Sequence, residues 1–304
     1  MTPIEEAPEL ALYQEAPRQL AVGSPGKVGE LNMGFTRRGE KTVLSRLYRR
    51  APLIVQRAIY WDEAMPNLPC VYLISNSGGV LQGDRYRMII ELDADAQAHI
   101  TTQSATKIQE MDANFATQEQ NLSLAENTYL EYLPEPLIPH KRSRFVTRTN
   151  VSIHSSATFL YSEILMPGRK YYDQGECFQY DLFSSTVRAQ RPEGTELFTE
   201  RFLIHPLRSD VRSAGVMGQF DVFGNVILLT PKEQADRIFA KVSAELNLKN
   251  QLAAGASRLP NEAGLLYKVL GMESQPVRAK IREFWALVRR EVTGHEVPPE
   301  FAWR

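Results

Sequence analysis

Three carboxylates of this chain lie in sequence settings where a carboxylate could take part in catalysis or bind a metal ion. Glu163 lies within the apolar run LYSEILM, Glu200 lies within LFTERFL, and Asp84 ends the glycine turn GGVLQGD. A carboxylate among apolar strand residues is costly if it faces inward unpaired, so it either points outward or pairs with a cation such as Arg201 or Arg169. Alternatively, inward carboxylates line a polar path suited to divalent cations. The residues alone leave these alternatives open.

Other catalytic and metal-binding signatures are missing from the sequence. Gly83 is followed by Asp-Arg and not by the Lys-Ser/Thr of a phosphate-binding loop, and no Gly-x-Ser-x-Gly turn presents a nucleophilic serine. Cys70 and Cys177 are far apart and form no Cys-x-x-Cys pair, which favours two reduced thiols. The histidines have no metal-binding spacing: His99, His140, His154, His205 and His295. Only His140 is notable, because it sits in the proline-bracketed segment PEPLIPHKR.

Composition narrows the class of protein. The 304 residues include 35 Lys and Arg against 36 Asp and Glu, a balance that argues against nucleic acid as the main partner. The acidic start MTPIEEAPEL has neither the basic nor the apolar region of a signal peptide. No apolar run approaches the ~18 residues needed to span a membrane. We therefore expect a soluble cytoplasmic protein that meets other proteins and no membrane.

The elements that must position these residues are predicted to be mostly β-strands. Apolar and polar residues alternate in segments such as RYRMIIEL (85–92) and GECFQYDLF (175–183), which is typical of strands buried on one face. After a loose, proline-containing lead-in over residues 1–25, we predict a mainly β fold over residues 26–230. It is expected to be a long antiparallel or layered β meander, β-helix-like or a sandwich. A small helix–strand–helix part over residues 231–304 completes a single domain that begins at residue 26.

Two segments near the end are predicted to be helical. The segment PKEQADRIFAKVSAELN starts with Pro231 at the first helical position, and Thr230 directly before it is the predicted N-terminal cap. VRAKIREFWALVRREVTG has apolar residues at spacings of three and four, and Gly294 follows as the stop. LLYKVLG (265–271) between them is predicted to be a strand.

Five blocks of the sequence, taken in order and spacing, resemble the UreD (UreH) family of urease accessory proteins. The blocks are GGVLQGDR (78–85), HITTQSATKI (99–108), LEYLPEPLIPH (130–140), LYSEILMPGR (160–169) and ELFTERFLI (196–204). Each is modest alone, but five in register over residues 28–230 are specific.

The resemblance implies a role and a set of partners. Members of this family are largely β-structured and bind the urease structural subunits and the accessory protein UreF. Through UreF they engage the GTPase UreG, which carries nickel. They are thought to offer an internal path along which Ni²⁺ reaches the urease active site. The resemblance thus implies a non-enzymatic maturation factor with no intrinsic cofactor, through which Ni²⁺ passes transiently.

The resemblance also assigns residues. It places Asp84, Thr106 and Glu200 at matching family positions; with Glu163, singled out by its apolar setting, and His140, they form the hypothetical nickel path. Because oxygen ligands hold Ni²⁺ weakly, we expect transient Ni²⁺ binding at Asp84 and Glu200. Relatives often carry an aromatic residue where His140 stands, so His140 either adds a ligand or packs as a ring. The family motif itself falls on these residues: Gly79, Gly83, Lys107, Pro139, Gly168, Arg169 and Arg201.

Three hypotheses follow for the function. The leading one is a metallochaperone that binds urease and its accessory proteins. The alternative is a β-rich carbohydrate-active enzyme that pairs Asp84 with Glu163 or Glu200, which requires carboxyl groups about 5–10 Å apart across an open cleft. The third is a purely structural adaptor in which the carboxylates are incidental.

Overall fold

The computed structural model describes residues 2–15, 26–247, 249 and 251–299. Two α-helices, α1 (Lys232–Phe239) and α2 (Ser274–Thr293), accompany the strands. The strands, in chain order, are β1 (Val28–Arg38), β2 (Lys41–Arg50), β3 (Leu53–Ile54), β4 (Cys70–Ser75), β5 (Arg85–Leu92), β6 (Gln97–Thr102), β7 (Thr106–Ile108), β8 (Ala116–Leu124), β9 (Tyr129–Tyr132), β10 (Leu137–Pro139), β11 (Arg144–Ile153), β12 (Thr158–Leu165), β13 (Leu182–Gln190), β14 (Glu196–Ile204), β15 (Val222–Leu229), β16 (Glu245–Asn247), β17 (Leu252–Arg258) and β18 (Gly264–Gly271). The predicted mainly β class is confirmed.

The strands form two sheets. The first has seven strands in the order β14-β13-β11-β8-β5-β1-β2. The second has eleven: nine follow the order β16-β17-β18-β15-β12-β9-β6-β4-β3, and β10 and β7 lie beside them. From β4 to β13 the longer strands alternate between the two sheets: β4, β6, β9 and β12 belong to the second sheet, and β5, β8, β11 and β13 belong to the first. The β-helix-like alternative therefore describes the centre of the molecule.

Strand direction is where the predicted antiparallel meander differs from the structure. In the first sheet β1, β5, β8, β11 and β13 are parallel neighbours, and in the second β4, β6, β9 and β12 are also parallel. Antiparallel pairs occur at the margins, as in β1–β2, β13–β14 and β12–β15–β18–β17. Period-two alternation shows which face is buried and is the same for both directions. Strand direction follows from the path of the chain. After each strand the chain crosses to the other sheet and then comes back, so the next strand in the first sheet runs in the same direction as the previous one.

The inner faces of the two sheets enclose the main apolar core, and the two helices cover the opposite face of the second sheet. Phe284, Trp285 and Val288 of α2 pack there. Gly224 of β15 permits this approach, since a Cβ at that position would lie 2.9 Å from the side chains of Val277 and Ile281 in α2. The helices thus cover the second sheet and leave its inner face to the first.

A buried ion cluster fixes α2 to the second sheet. The Arg289 guanidinium, 1% exposed, donates to both carboxylate oxygens of Glu131, at 2.8 and 2.6 Å. It also pairs with Asp62. Glu131 is further hydrogen-bonded to Trp285 Nε1 and His99 Nδ1 at 2.7 Å each and to the Tyr129 hydroxyl at 2.6 Å. A buried charge of this kind is tolerated only when it is paired and hydrogen-bonded.

The end of the chain contains more strand than predicted. Helix α1 begins at Lys232, one residue after Pro231, and ends at Phe239, well before the end of the predicted segment. The strands β16 and β17 follow it, and β17 was not predicted because its sequence, LAAGASR, carries small residues in place of β-branched ones. The strand predicted at 265–271 is confirmed as β18. Helix α2 ends at Thr293, and Gly294 follows as its C-terminal cap with a φ of +76°.

The predicted loose lead-in is packed where the structure describes it. Short 3-10 turns at Ile4–Glu6 and Pro8–Leu10 bury Ile4 and Leu10 in a cluster with Phe115, Val146 and Leu182. Residues 16–25 of the predicted lead-in lie outside the described residues. The strand predicted over 175–183 begins only at Leu182, since Phe178 has a positive φ of +56°. None of the described helices combines the length and apolar character needed to cross a membrane.

Candidate functional site

A cavity of about 230 Å³, lined by both polar and apolar side chains, lies between the inner faces of the two sheets. Its mouth is formed by two loops, Ser75–Val80 and Thr102–Lys107, in which Ser75, Gln103 and Lys107 are exposed. Its inner wall carries these side chains: Tyr86, Gln118, Gln120, Tyr132, Thr147, Tyr161 and Glu163.

Strand register brings this polar wall together. Gln118 of β8 pairs with Tyr86 of β5 and with Thr147 of β11, so all three side chains share the inner face of the first sheet. In the next row, Gln120 Nε2 donates to Thr149 Oγ1 at 2.9 Å, and the Tyr132 hydroxyl from the opposite sheet donates to Gln120 Oε1 at 2.6 Å. The bonds cross the gap between the sheets, which explains how polar residues are accommodated inside the sandwich.

Glu163 stands at the inner end of the cavity. The Ser185 hydroxyl of β13 lies 2.8 and 2.9 Å from its two carboxylate oxygens. Burial raises the pKa of Glu163 to about 7; the Glu200 carboxylate adds to the rise, and hydrogen bonds from Ser185 and Tyr161 oppose it. A carboxyl group with this pKa exchanges its proton near neutral pH, so a cation can replace that proton at little cost.

Glu200 lies further along the same interior, on β14 at the edge of the first sheet. The Lys268 ammonium of β18 is 2.6 Å from Glu200 Oε1, and Asn225 Nδ2 of β15 is 3.5 Å from Glu200 Oε2. In the second sheet Glu163, Asn225 and Lys268 are direct neighbours across three strands. The two sequence-predicted carboxylates Glu163 and Glu200 are therefore brought together, from opposite sheets.

Asp84, the third predicted carboxylate, does not line the cavity. It is fully buried and accepts three hydrogen bonds, from the backbone amides of Lys27 and Leu81 at 2.8 Å each and from the Tyr86 hydroxyl at 2.6 Å. Gly83 before it has a φ of +83°, as the tight turn requires. The geometry favours a structural role in which Asp84 holds Tyr86, a residue of the cavity wall, in place.

The predicted residues Thr106, Lys107 and Gly79 meet at the mouth of the cavity. Thr106 and Lys107 line it directly. Gly79 has a φ of +146°, and a Cβ there would lie 2.6 Å from the Lys107 carbonyl oxygen, which accepts a hydrogen bond from the Val80 amide at 2.8 Å. Glycine at position 79 thus allows the two loops of the mouth to approach each other.

Comparison with known proteins decides the family. The profile described as UreD urease accessory protein matches residues 27–304. Urease accessory protein UreD 2 of Brucella suis biovar 1 (strain 1330) is 61% identical over 298 residues, which cover 98% of this chain and 99% of that protein. Urease accessory protein UreD of Yersinia pseudotuberculosis serotype O:1b (strain IP 31758) is 51% identical, covering 98% of this chain and 93% of that protein. The chain belongs to the UreD family of urease accessory proteins.

The remaining UreD motif residues form a second group, outside the cavity. His140 follows β10 and is 7% exposed; burial lowers its pKa, and the Arg169 guanidinium lowers it further. Arg169 forms an ion pair with Glu176. Gly168, with a φ of +134°, packs against the Glu176 and Pro139 carbonyl oxygens. This surrounding is consistent with a packing role for His140.

Arg201 takes a different direction from its neighbour Glu200. Its guanidinium pairs with Glu9 of the N-terminal segment at 2.8 Å, on the outer side of the first sheet. Sequence reasoning offered Arg201 as a partner for Glu200, but alternation along β14 places the two on opposite faces. The cation that pairs with Glu200 is Lys268.

Five polar residues of the interior were not singled out from the sequence: Gln118, Gln120, Ser185, Asn225 and Lys268. Their signal was present, since Gln118 and Gln120 occupy alternate positions of β8 and so share one face. That the shared face is the inner one depends on the sheet opposite it. Asn225 and Lys268 belong to strands far from the family blocks, and only the β12–β15–β18 pairing places them beside Glu163.

Proposed function

We propose that this chain is a non-enzymatic urease maturation factor that guides Ni²⁺ through the interior between its two sheets. The observation that carries the proposal is the cavity whose lining includes Thr106 and Lys107 at the mouth, Gln120 and Tyr132 further in, and Glu163, with the Glu200 carboxylate close enough to raise the pKa of Glu163. A carboxyl group such as Glu163 is costly to bury between two sheets, which favours a use for it there.

The donor types suit transient passage of a metal. Amide, hydroxyl and carboxylate oxygens bind Ni²⁺ more weakly than clustered imidazoles or thiolates do. Among the described residues no group of three or more His, Cys, Asp or Glu side chains could hold a metal ion. Cys70 is buried and Cys177 is half-buried, and neither forms a disulfide bond with a described residue. A storage site would concentrate such ligands, whereas a path must release the ion.

The family supplies the setting of the proposal. The relatives named above are urease accessory proteins, and we extend that role to this chain. It binds the urease structural subunits and UreF, and it engages the GTPase UreG through UreF. The proposal sets this step in the cytoplasm, with no turnover by the chain alone.

Co-expression with the urease subunits and the other accessory proteins tests the proposal. Glu163→Gln and Glu200→Gln should leave pull-down of the partners intact and lower the nickel content of the purified urease. Glu119→Gln is the matched control, because Glu119 lies on the outer face of β8, 3.7 Å from Arg148, and does not line the cavity. Full nickel content in the Glu163 and Glu200 variants would show that the interior carboxylates carry no nickel.

A further inference from the structure

One buried acceptor beside the two interior carboxylates has no hydrogen-bond partner. Asn225 is 4% exposed, and its Oδ1 atom is reached by no donor of the described residues. Its Nδ2 atom faces Glu200 Oε2, so Oδ1 is the free end of the amide. An unsatisfied buried acceptor costs stability and calls for an explanation in a native structure.

The surroundings of Asn225 are those of a ligand set for a hard or borderline divalent cation. Glu163 precedes it and Lys268 follows it in the same row of the second sheet, one strand away on each side. Neighbouring strands lie about 4.8 Å apart, so three side chains in one row can reach a common centre. Glu200 approaches this row from the opposite sheet. Carboxylate and amide oxygens are the ligands that such cations accept.

Lys268 already occupies the position of a cation in this set. Its ammonium lies 2.6 Å from Glu200 Oε1 and 5.8 Å from the centre of the Phe223 ring. The Lys268 side chain is 45% exposed and that of Glu200 only 16%. The lysine therefore reaches from the solvent-exposed edge of the sandwich to an interior carboxylate. Its long stem lets the charge withdraw toward water without unfolding any element.

We propose that Glu163, Asn225 and Glu200 form a station for a divalent cation at the β14 end of the interior, and that Lys268 is the tethered counter-cation which that ion displaces. The station rests on the proposed function and adds to it two residues, Asn225 as the neutral ligand and Lys268 as the competitor. When the station is empty, Lys268 neutralises Glu200. When the ion arrives, the ammonium moves outward, and its return favours release.

Nickel binding by the full-length chain tests the station, with NiCl₂ as the only added metal and calorimetry as the readout. Lys268→Met keeps the length of the side chain and removes the competitor, so we expect about fivefold tighter binding, equal to ~1 kcal/mol. Lys268→Arg keeps the charge and should bind as the wild type does. Lys232→Met is the matched control, since Lys232 pairs with Asp236 on the surface of α1.

Two substitutions test Asn225: one should weaken nickel binding and the other should strengthen it. Asn225→Leu removes the free oxygen at similar volume and should weaken binding about fivefold or more. Asn225→Asp keeps an oxygen and adds a charge, so it should bind more tightly even if the leucine variant does not fold. The station is refuted if either Lys268→Met or Asn225→Asp leaves the affinity for Ni²⁺ unchanged. It is also refuted if neither the wild type nor Lys268→Met binds Ni²⁺. Each of these results is independent of the urease nickel content in Glu163→Gln and Glu200→Gln, which decides the proposed function.

Discussion

Ionisation of Glu163 should destabilise the folded chain as the pH rises, and Glu163→Gln should remove that effect. Burial raises the pKa of Glu163 to about 7 in the folded state, against 4.5 for the ordinary carboxyl. The folded state therefore holds the proton more tightly than the unfolded state does. Its contribution is fully present below the unfolded pKa and is lost as the pH rises through the folded one.

The size of the effect follows from the two pKa values. A difference of about 2.5 pKa units corresponds to ~3 kcal/mol of unfolding free energy lost once the pH exceeds both values. Between pH 5 and pH 8 the linkage relation gives a loss of about 2.5 kcal/mol for the wild type relative to Glu163→Gln. Glutamine keeps the shape and cannot ionise, so the variant should not show this component.

Urea denaturation at pH 5, 6, 7 and 8, with a chelator present, measures the difference. The wild type and Glu163→Gln should be closest in stability at pH 5, separate steadily between pH 5 and pH 7, and change little relative to each other above pH 7. Glu119→Gln on the outer face of the same sandwich is the control and should run parallel to the wild type. A gap between the wild type and Glu163→Gln that stays constant from pH 5 to pH 8 would refute an interior carboxyl that ionises near neutrality. Ni²⁺ added at pH 8 should narrow the gap, because it binds the ionised form.

Three further changes test the framework around the interior, each by urea denaturation. Arg289→Met leaves two buried carboxylates uncompensated and should cost about 3–5 kcal/mol, whereas Arg290→Met on the exposed face of α2 should change stability little. Gly168→Ala should destabilise more than Gly194→Ala: both glycines have positive φ, a strain of about 1–3 kcal/mol, but only at Gly168 would the added Cβ overlap the backbone of a neighbouring loop. Asp84→Asn should cost about 1–3 kcal/mol, since all three hydrogen bonds to this side chain come from donors and an amide must turn its NH₂ toward one of them.

The sequence predicted the β-strands well because one face of most of them is buried, which leaves a period of two in the residues. RYRMIIEL and FVTRTNVSI show it, and both form strands of the first sheet. The same period could not give strand direction. It also could not reveal β17, where Ala and Gly pack in a sheet without any β-branched residue. Helix α2 was predictable from its apolar spacing and its terminal glycine, since both are local features.

The candidate site was predicted in part, and the division has a physical cause. Glu163 and Glu200 were found because a carboxylate among apolar strand residues is unusual at any position. Asn225 and Lys268 were missed because an amide or a lysine in a strand is ordinary until its neighbours are known. Their position beside Glu163 depends on a pairing between strands about 60 and 105 residues apart along the chain.

The predicted carboxylates Asp84 and Glu163 differ in their hydrogen bonding, and the difference suits a structural role for Asp84 and a ligand role for Glu163. Asp84 is fully buried and accepts hydrogen bonds from the backbone amides of Lys27 and Leu81 and from the Tyr86 hydroxyl, so a metal ion could reach it only by breaking the turn. Glu163 accepts hydrogen bonds from the Ser185 hydroxyl, which lies close to both of its oxygens, and from Tyr161, and it faces a cavity. An acid that must bind and release an ion needs such incomplete satisfaction, because a fully hydrogen-bonded carboxylate has already exchanged water for protein donors. If the proposed path exists, Asp84 supports it through the wall residue Tyr86, and Glu163 and Glu200 are the carboxylates that would contact the ion.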